Sequence, residues 1–114
     1  MTAVARRGRV PTAAALVVAV LLIGAVLAAR APRGEPFRLL THCGIEGLQH
    51  DGRWYARDGG LLSDGQGNAP DGWGNPWQDG RLRTDGATVV FTDWGGHRER
   101  FTLQPGPVPD STCR

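Results

Sequence analysis

Twenty consecutive uncharged residues, Val10 to Ala29 (VPTAAALVVAVLLIGAVLAA), limit what this chain can fold into. At 1.5 Å per residue the run makes a helix of about 30 Å, the thickness of a bilayer core. Only Pro11 and Thr12 dilute its apolar character. The residues after it are too polar and too rich in glycine to belong to the same structural class. The run therefore divides the chain into a basic cytoplasmic tail (1–9), a transmembrane helix (10–29), a linker (30–36) and an extracytoplasmic domain (37–114).

The flanks set the orientation. Arg6, Arg7 and Arg9 precede the run without an acidic residue among them, whereas Arg30, Arg33 and Arg38 follow it with Glu35 interspersed. The positive-inside bias favours a cytoplasmic N-terminus and a C-terminal domain outside. A secretory signal has a shorter apolar core and a small-x-small cleavage site. Val26-Leu27-Ala28 is an acceptable cleavage sequence, so a secreted product is the alternative to the anchor. Cys43 follows Leu40, Thr41 and His42, which is not a lipoprotein setting.

Charge excludes one function class. The chain has thirteen basic residues, all arginine, and eleven acidic ones. Four of the arginines flank the apolar run, leaving nine in a slightly acidic domain. The basic pI near 8.9 is thus a property of the membrane flank. Nucleic-acid binding wants a clustered basic face on the domain itself, so no nucleic-acid partner is expected.

A domain of about 80 residues buries only a small core and benefits from a staple. Cys43 and Cys113 are the only cysteines. In an oxidising compartment they read as one disulfide. Closing a loop of about 70 residues is worth roughly 4 kcal/mol in the chain-entropy model. In the cytoplasm the same pair would be two reduced thiols.

Local signals point to β structure. Asp51-Gly52 is a favoured two-residue hairpin turn, with Ile45–His50 and Arg53–Arg57 as its arms. It sets His50 opposite Arg53, Leu48 opposite Tyr55 and Glu46 opposite Arg57. Of its two faces, the one carrying Ile45, Trp54 and Ala56 is the better core candidate, because charges ring Leu48 and Tyr55. Phe37–Thr41 begins a further strand. A second hairpin at Asp85-Gly86 sets Thr84 opposite Ala87 and Leu82 opposite Val89. Gly95-Gly96 turns the chain once more, so that Val89 and Phe91 share a face with Phe101 and Leu103 while Arg98, Arg100 and Thr102 stay outside. The expected architecture is an N-terminal transmembrane helix plus a small all-β domain of about five antiparallel strands, a meander or an open barrel.

Residues 58–80 read as a long loop without helix or strand, since glycine and proline punctuate it throughout. Its PDGWGNPW segment carries two indoles with much area to bury, so the expectation is an ordered loop pinned by Trp73 and Trp77 over one end of the sheet. Asp64, Gln66 and Asn68 alternate like the first ligands of a calcium loop. Ala69 replaces the glycine required at the sixth position and Asn75 the glutamate at the twelfth, and the calcium reading fails there.

Reactive candidates are few. His42 and Cys43 are adjacent, so on a strand they point to opposite faces and make a poor nucleophile–base pair. No C-x-x-C or H-x-x-x-H spacing joins them to His50, His97 or Cys113 as a zinc site. The plain reading is one structural disulfide and three solvated histidines, with no metal and no cofactor.

At THCGI (from Thr41), DGRWY (from Asp51) and GNAPDGWGNPW (from Gly67) the chain resembles uncharacterised small single-pass membrane proteins of actinobacteria. The resemblance covers Thr41 to Phe91, and its G-W-G-N-P element is the most specific part. It implies a membrane anchor and no particular activity. If its motifs mark a site, Trp73, Asn75, Trp77 and His42 form a candidate binding loop.

Two function classes follow. The first is a membrane-anchored extracytoplasmic β module, a binding or accessory envelope protein whose partners are the bilayer through Val10–Ala29 and an envelope protein or cell-wall component. Its bland counterpart is that both indoles merely cap the core. The second is a small thiol- or metal-dependent enzyme using His42, Cys43 and His97.

Overall fold

A computed structural model describes the backbone of residues 10–110, with side chains over 13–29 and 31–110. The basic tail 1–9 and Cys113 lie outside the described residues. The chain divides into two compact units, Met1–Ala31 and Pro32–Arg114.

The first unit is the helix α1, Val10–Arg30. Its described side chains show no polar stripe, and Leu16, Val20, Leu21 and Ile23 are all exposed. Among the described residues no helix is long and apolar enough to cross a membrane.

The second unit is a six-stranded antiparallel sheet: β1 (Glu35–Leu40), β2 (Gly47–His50), β3 (Arg53–Arg57), β4 (Trp77–Asp85), β5 (Thr88–Thr92) and β6 (Arg98–Leu103). The spatial order is β1-β4-β5-β6-β3-β2. The expected count of about five strands is therefore low by one, and a plain meander is excluded, because β1 pairs with β4 across the chain. The open-barrel alternative describes the domain. The two outermost strands meet through side chains: His50 Nε2 on β2 lies 3.0 Å from Glu35 Oε1 on β1, and its ring packs edge-on against Phe37. One end of the seam between β1 and β2 is closed by these contacts.

The first hairpin forms as its local signal requires. His50 pairs with Arg53 and Leu48 with Tyr55, and Asp51 and Gly52 both take positive φ, 50° and 73°. The second is displaced by one residue. Asp85 pairs with Thr88 and Leu82 with Phe91, so the turn is Gly86-Ala87, with Gly86 at φ 61°. Placing glycine first suits a II′-type turn, which needs positive φ at that position only. The third pair matches expectation. Val89 faces Phe101 across the ladder, both are fully buried, and Leu103 packs against them.

The interior holds Leu39, Ile45, Leu48, Tyr55, Leu82, Val89, Phe91 and Phe101. Leu48 and Tyr55 rather than Trp54 and Ala56 thus supply the core face of the first hairpin. The polar groups around Leu48 and Tyr55 do not forbid burial because they find partners at the rims: His50 in Glu35 at 3.0 Å, and Arg57 in Glu99 at 2.9 Å. On the opposite face the Trp54 ring lies over Gly47, where any Cβ would collide with it. Strand β4 begins at Trp77, inside the stretch read as loop. Gly80 permits this, since its missing Cβ leaves room for the Phe91 ring.

Candidate functional site

Two motifs far apart in sequence form one junction. Thr41 is fully buried; its amide donates to the Pro76 carbonyl at 2.8 Å, and its hydroxyl donates to the Gly74 carbonyl at 2.5 Å. Gly74 in turn donates its N–H to Gln78 Oε1 at 2.6 Å. His42, on the exposed side, places Nδ1 3.1 Å from Asn75 Oδ1. The T-H-C-G start and the G-W-G-N-P loop are thus held together by backbone and side-chain hydrogen bonds, with a cis peptide at Asn75-Pro76.

Trp73 points inward from this junction. Its ring stacks on Phe91, with centroids 6.0 Å apart, and on His97 at 3.8 Å. His97 is held in turn by Asp93, which is almost wholly buried. Asp93 Oδ1 accepts the His97 backbone N–H at 2.9 Å, and Oδ2 accepts Nδ1–H at 2.6 Å. A short buried carboxylate–imidazole pair of this kind orients the ring. Here it also closes the β5–β6 turn, where Asp93 N–H donates to His97 O and Gly96 N–H to Asp93 O.

Trp77 behaves differently. It is the first residue of β4, pairs with Leu40, and is 46% exposed. It lines a groove of about 520 Å³ with Leu40, Gly47, Trp54, Leu61 and Cys43. Leu40 and Leu61 are themselves exposed. The groove is lined from both β1 and β2, reaching Phe37 beside the His50 closure, and Val108, Pro109 and Asp110 from the C-terminal segment form part of its wall. Both strands are outermost in the sheet order, so among the described residues each presents a backbone edge without a strand partner there. Arg38, ion-paired with Asp79 at 3.1 Å, and Glu46 place charge at the groove wall.

The four residues of the candidate loop are therefore not equivalent. Trp73 belongs to the core, His42 and Asn75 bond to one another, and Trp77 alone opens onto the groove. The indoles do not jointly pin the loop. Nor are all three histidines solvated: His50 and His97 are mostly buried and paired, and only His42 is exposed. Among the described residues no group of three or more His, Cys, Asp or Glu could hold a metal ion. His42, Cys43 and His97 do not form one reactive cluster: His42 bonds Asn75, His97 bonds Asp93, and Cys43 lines the groove.

Leu40, Trp54 and Leu61 were not legible as site residues. They come from three separate segments, and no spacing rule links them. Asp93 carried a weak signal, as an acidic residue four positions before a histidine across a glycine pair.

Comparison with protein families, curated proteins and solved structures finds no match to this chain.

Proposed function

We propose that the chain is a membrane-anchored, extracytoplasmic β module, an accessory envelope protein that binds an extended segment of a partner chain along the β1–β2 seam. The observation that carries the reading is the groove itself. Exposed Trp77, Leu40 and Leu61 converge there beside two unpartnered strand edges. Strand edges supply main-chain hydrogen bonds to an added peptide, and apolar pockets beside them select its side chains. Exposed aromatic anchors in a concave site are the usual source of binding energy. The second reading, an enzyme built on His42, Cys43 and His97, has no comparable convergence to support it.

The anchor rests on α1. Its backbone spans 21 residues, and a helix apolar on every side needs a covering that only a protein core or a bilayer supplies. The resemblance to small single-pass actinobacterial proteins fits the same reading. Carbonate extraction of membranes tests it: a chain released to the soluble fraction is not anchored.

Export implies an oxidising compartment, and there Cys43 and Cys113 pair. Support comes from the C-terminal segment, whose residues Val108–Asp110 line the same groove as Cys43 three residues before Cys113. Alkylation of the protein isolated without reductant should label neither cysteine. Two labelled thiols would sink both the disulfide and the export assignment.

The groove is tested with a photo-crosslinking residue placed at Leu61 in intact cells. A discrete adduct is expected there and absent both at Asp71, on an exposed loop, and in a Trp77→Ala background. An adduct pattern unaffected by Trp77→Ala would end the reading.

A further inference from the structure

Four of the domain's nine arginines, which composition averages against its acids, are brought by the fold onto one face. Residues directly paired across an antiparallel ladder point to the same side. On the outer face of β4, β5 and β6 one cross-strand row is Arg81, Thr92 and Arg98, and another is Arg83, Val90 and Arg100. All four arginines are exposed. The acids nearby are largely committed elsewhere: Asp79 to Arg38, Asp93 to His97 and Glu99 to Arg57. Asp58 approaches Arg100 at 3.5 Å, and Asp85, the last residue of β4, follows Arg83 by two positions on the same face. Among the described residues Arg81, Arg83 and Arg98 have no ion-pair partner.

Two further features lie at the Thr92 end of this face. Trp94, in the turn that follows Thr92, is 71% exposed, the most exposed large apolar residue of the described chain. The incoming chain also meets the face here: the Arg33 amide donates to Thr92 Oγ1 at 3.3 Å, and Arg81 donates to the Gly34 carbonyl at 3.1 Å. Arg33 follows Arg30, the last residue of α1, by three positions.

We propose that this face, with Arg81, Arg83 and Arg98 as its cations and Trp94 as its interfacial anchor, docks on anionic lipid headgroups. Arginine pairs bidentately with phosphate, and tryptophan favours the headgroup level of a bilayer. The proposal rests on the anchoring of α1 and is independent of which side of the membrane the domain occupies.

The test uses the full chain reconstituted in vesicles of phosphatidylcholine alone or mixed with phosphatidylglycerol. Quenching of Trp94 by lipids brominated near the headgroup is read as the difference between the parent and Trp94→Phe. Quenching is expected in the anionic mixture, weak in phosphatidylcholine and suppressed by high salt. Each of Arg81→Gln, Arg83→Gln and Arg98→Gln should lower the docked-to-undocked ratio about five-fold. If one of these variants fails to fold, the other two and the salt titration keep the test intact. Equal quenching in both lipids, or quenching indifferent to the arginines, overturns the proposal. So does an oligonucleotide that immobilises Trp94 in phosphatidylcholine when phosphatidylglycerol does not. Carbonate extraction on the same samples separates the two claims: a chain that stays in the membrane without lipid-dependent quenching leaves the anchor standing and removes only the docking face.

Discussion

Trp73 and Trp77 stand at the two ends of a five-residue segment, and the domain uses them oppositely. Trp73 lies against Phe91 and His97 and is part of the packed interior. Trp77 begins β4 on the outer side of the sheet and opens onto the groove. The residues between them explain the divergence. Gly74 and Pro76 offer their carbonyls to Thr41, which fixes the loop while the chain passes into the strand. The comparison separates an indole that holds the fold from one that is free to bind.

The largest effect expected from breaking that distinction is at Trp73. Trp73→Ala removes a partly buried ring and its stacking partners, and should cost about 3 kcal/mol in denaturant unfolding. An effect below about 1 kcal/mol would show that Trp73 is not part of the core. Asp93→Ala is next. It leaves the His97 amide and ring N–H without their acceptor, and a loss of about 2 kcal/mol is expected, together with faster hydrogen exchange across the β5–β6 turn.

Thr41→Val keeps the shape but deletes the hydroxyl that bonds the Gly74 carbonyl. A loss of about 1 kcal/mol is expected, with a changed environment for the Trp73 ring seen by fluorescence. Trp77→Ala sharpens the contrast from the other side. Its stability should stay within about 0.5 kcal/mol of the parent, while crosslinking at Leu61 is lost.

The smallest effect is at Asp64. Its carboxylate accepts the Gln66 and Asn68 amides at 2.7 and 3.1 Å. The hydrogen bond from Gln66, followed by that from the Asn68 side chain, holds its carboxyl below the usual range. A lowered value means the contribution is complete above the unfolded-state pKa and disappears as pH falls through the folded-state one. Protection of the Gln66 and Asn68 amides, measured against their intrinsic exchange rates, should therefore fall on acidification in the parent, and lose that pH dependence in Asp64→Asn.

Local features were legible and long-range ones were not. Asp51-Gly52 sets its hairpin register because both turn residues supply their own left-handed φ. Asp85-Gly86 misleads by one residue, since a turn with Gly86 first is equally local and brings Leu82 opposite Phe91. Reading Trp54 as core fails for a different reason. The charges near Tyr55 looked prohibitive only because Glu35 and Glu99, their partners, are remote in sequence. The candidate site was half visible: Trp77 was among its residues, but Leu40, Trp54 and Leu61 reach it through strand pairing alone. The arginine face was partly visible: Arg98 and Arg100 were expected on the outside of the last strand, but a count of charges carries no information on their meeting Arg81 and Arg83 across β5.

The sequence by itself determined the apolar helix, the β character of the remainder and the positions of the turns. Each of these follows from a continuous run, an alternation or a dipeptide whose physics is local. Only the tertiary structure decided the strand order, which indole is buried and where the arginines gather. The strand order depends on β1 crossing to β4 and on β3 joining β6, pairings that become favourable only when one shared core is buried by all six strands together.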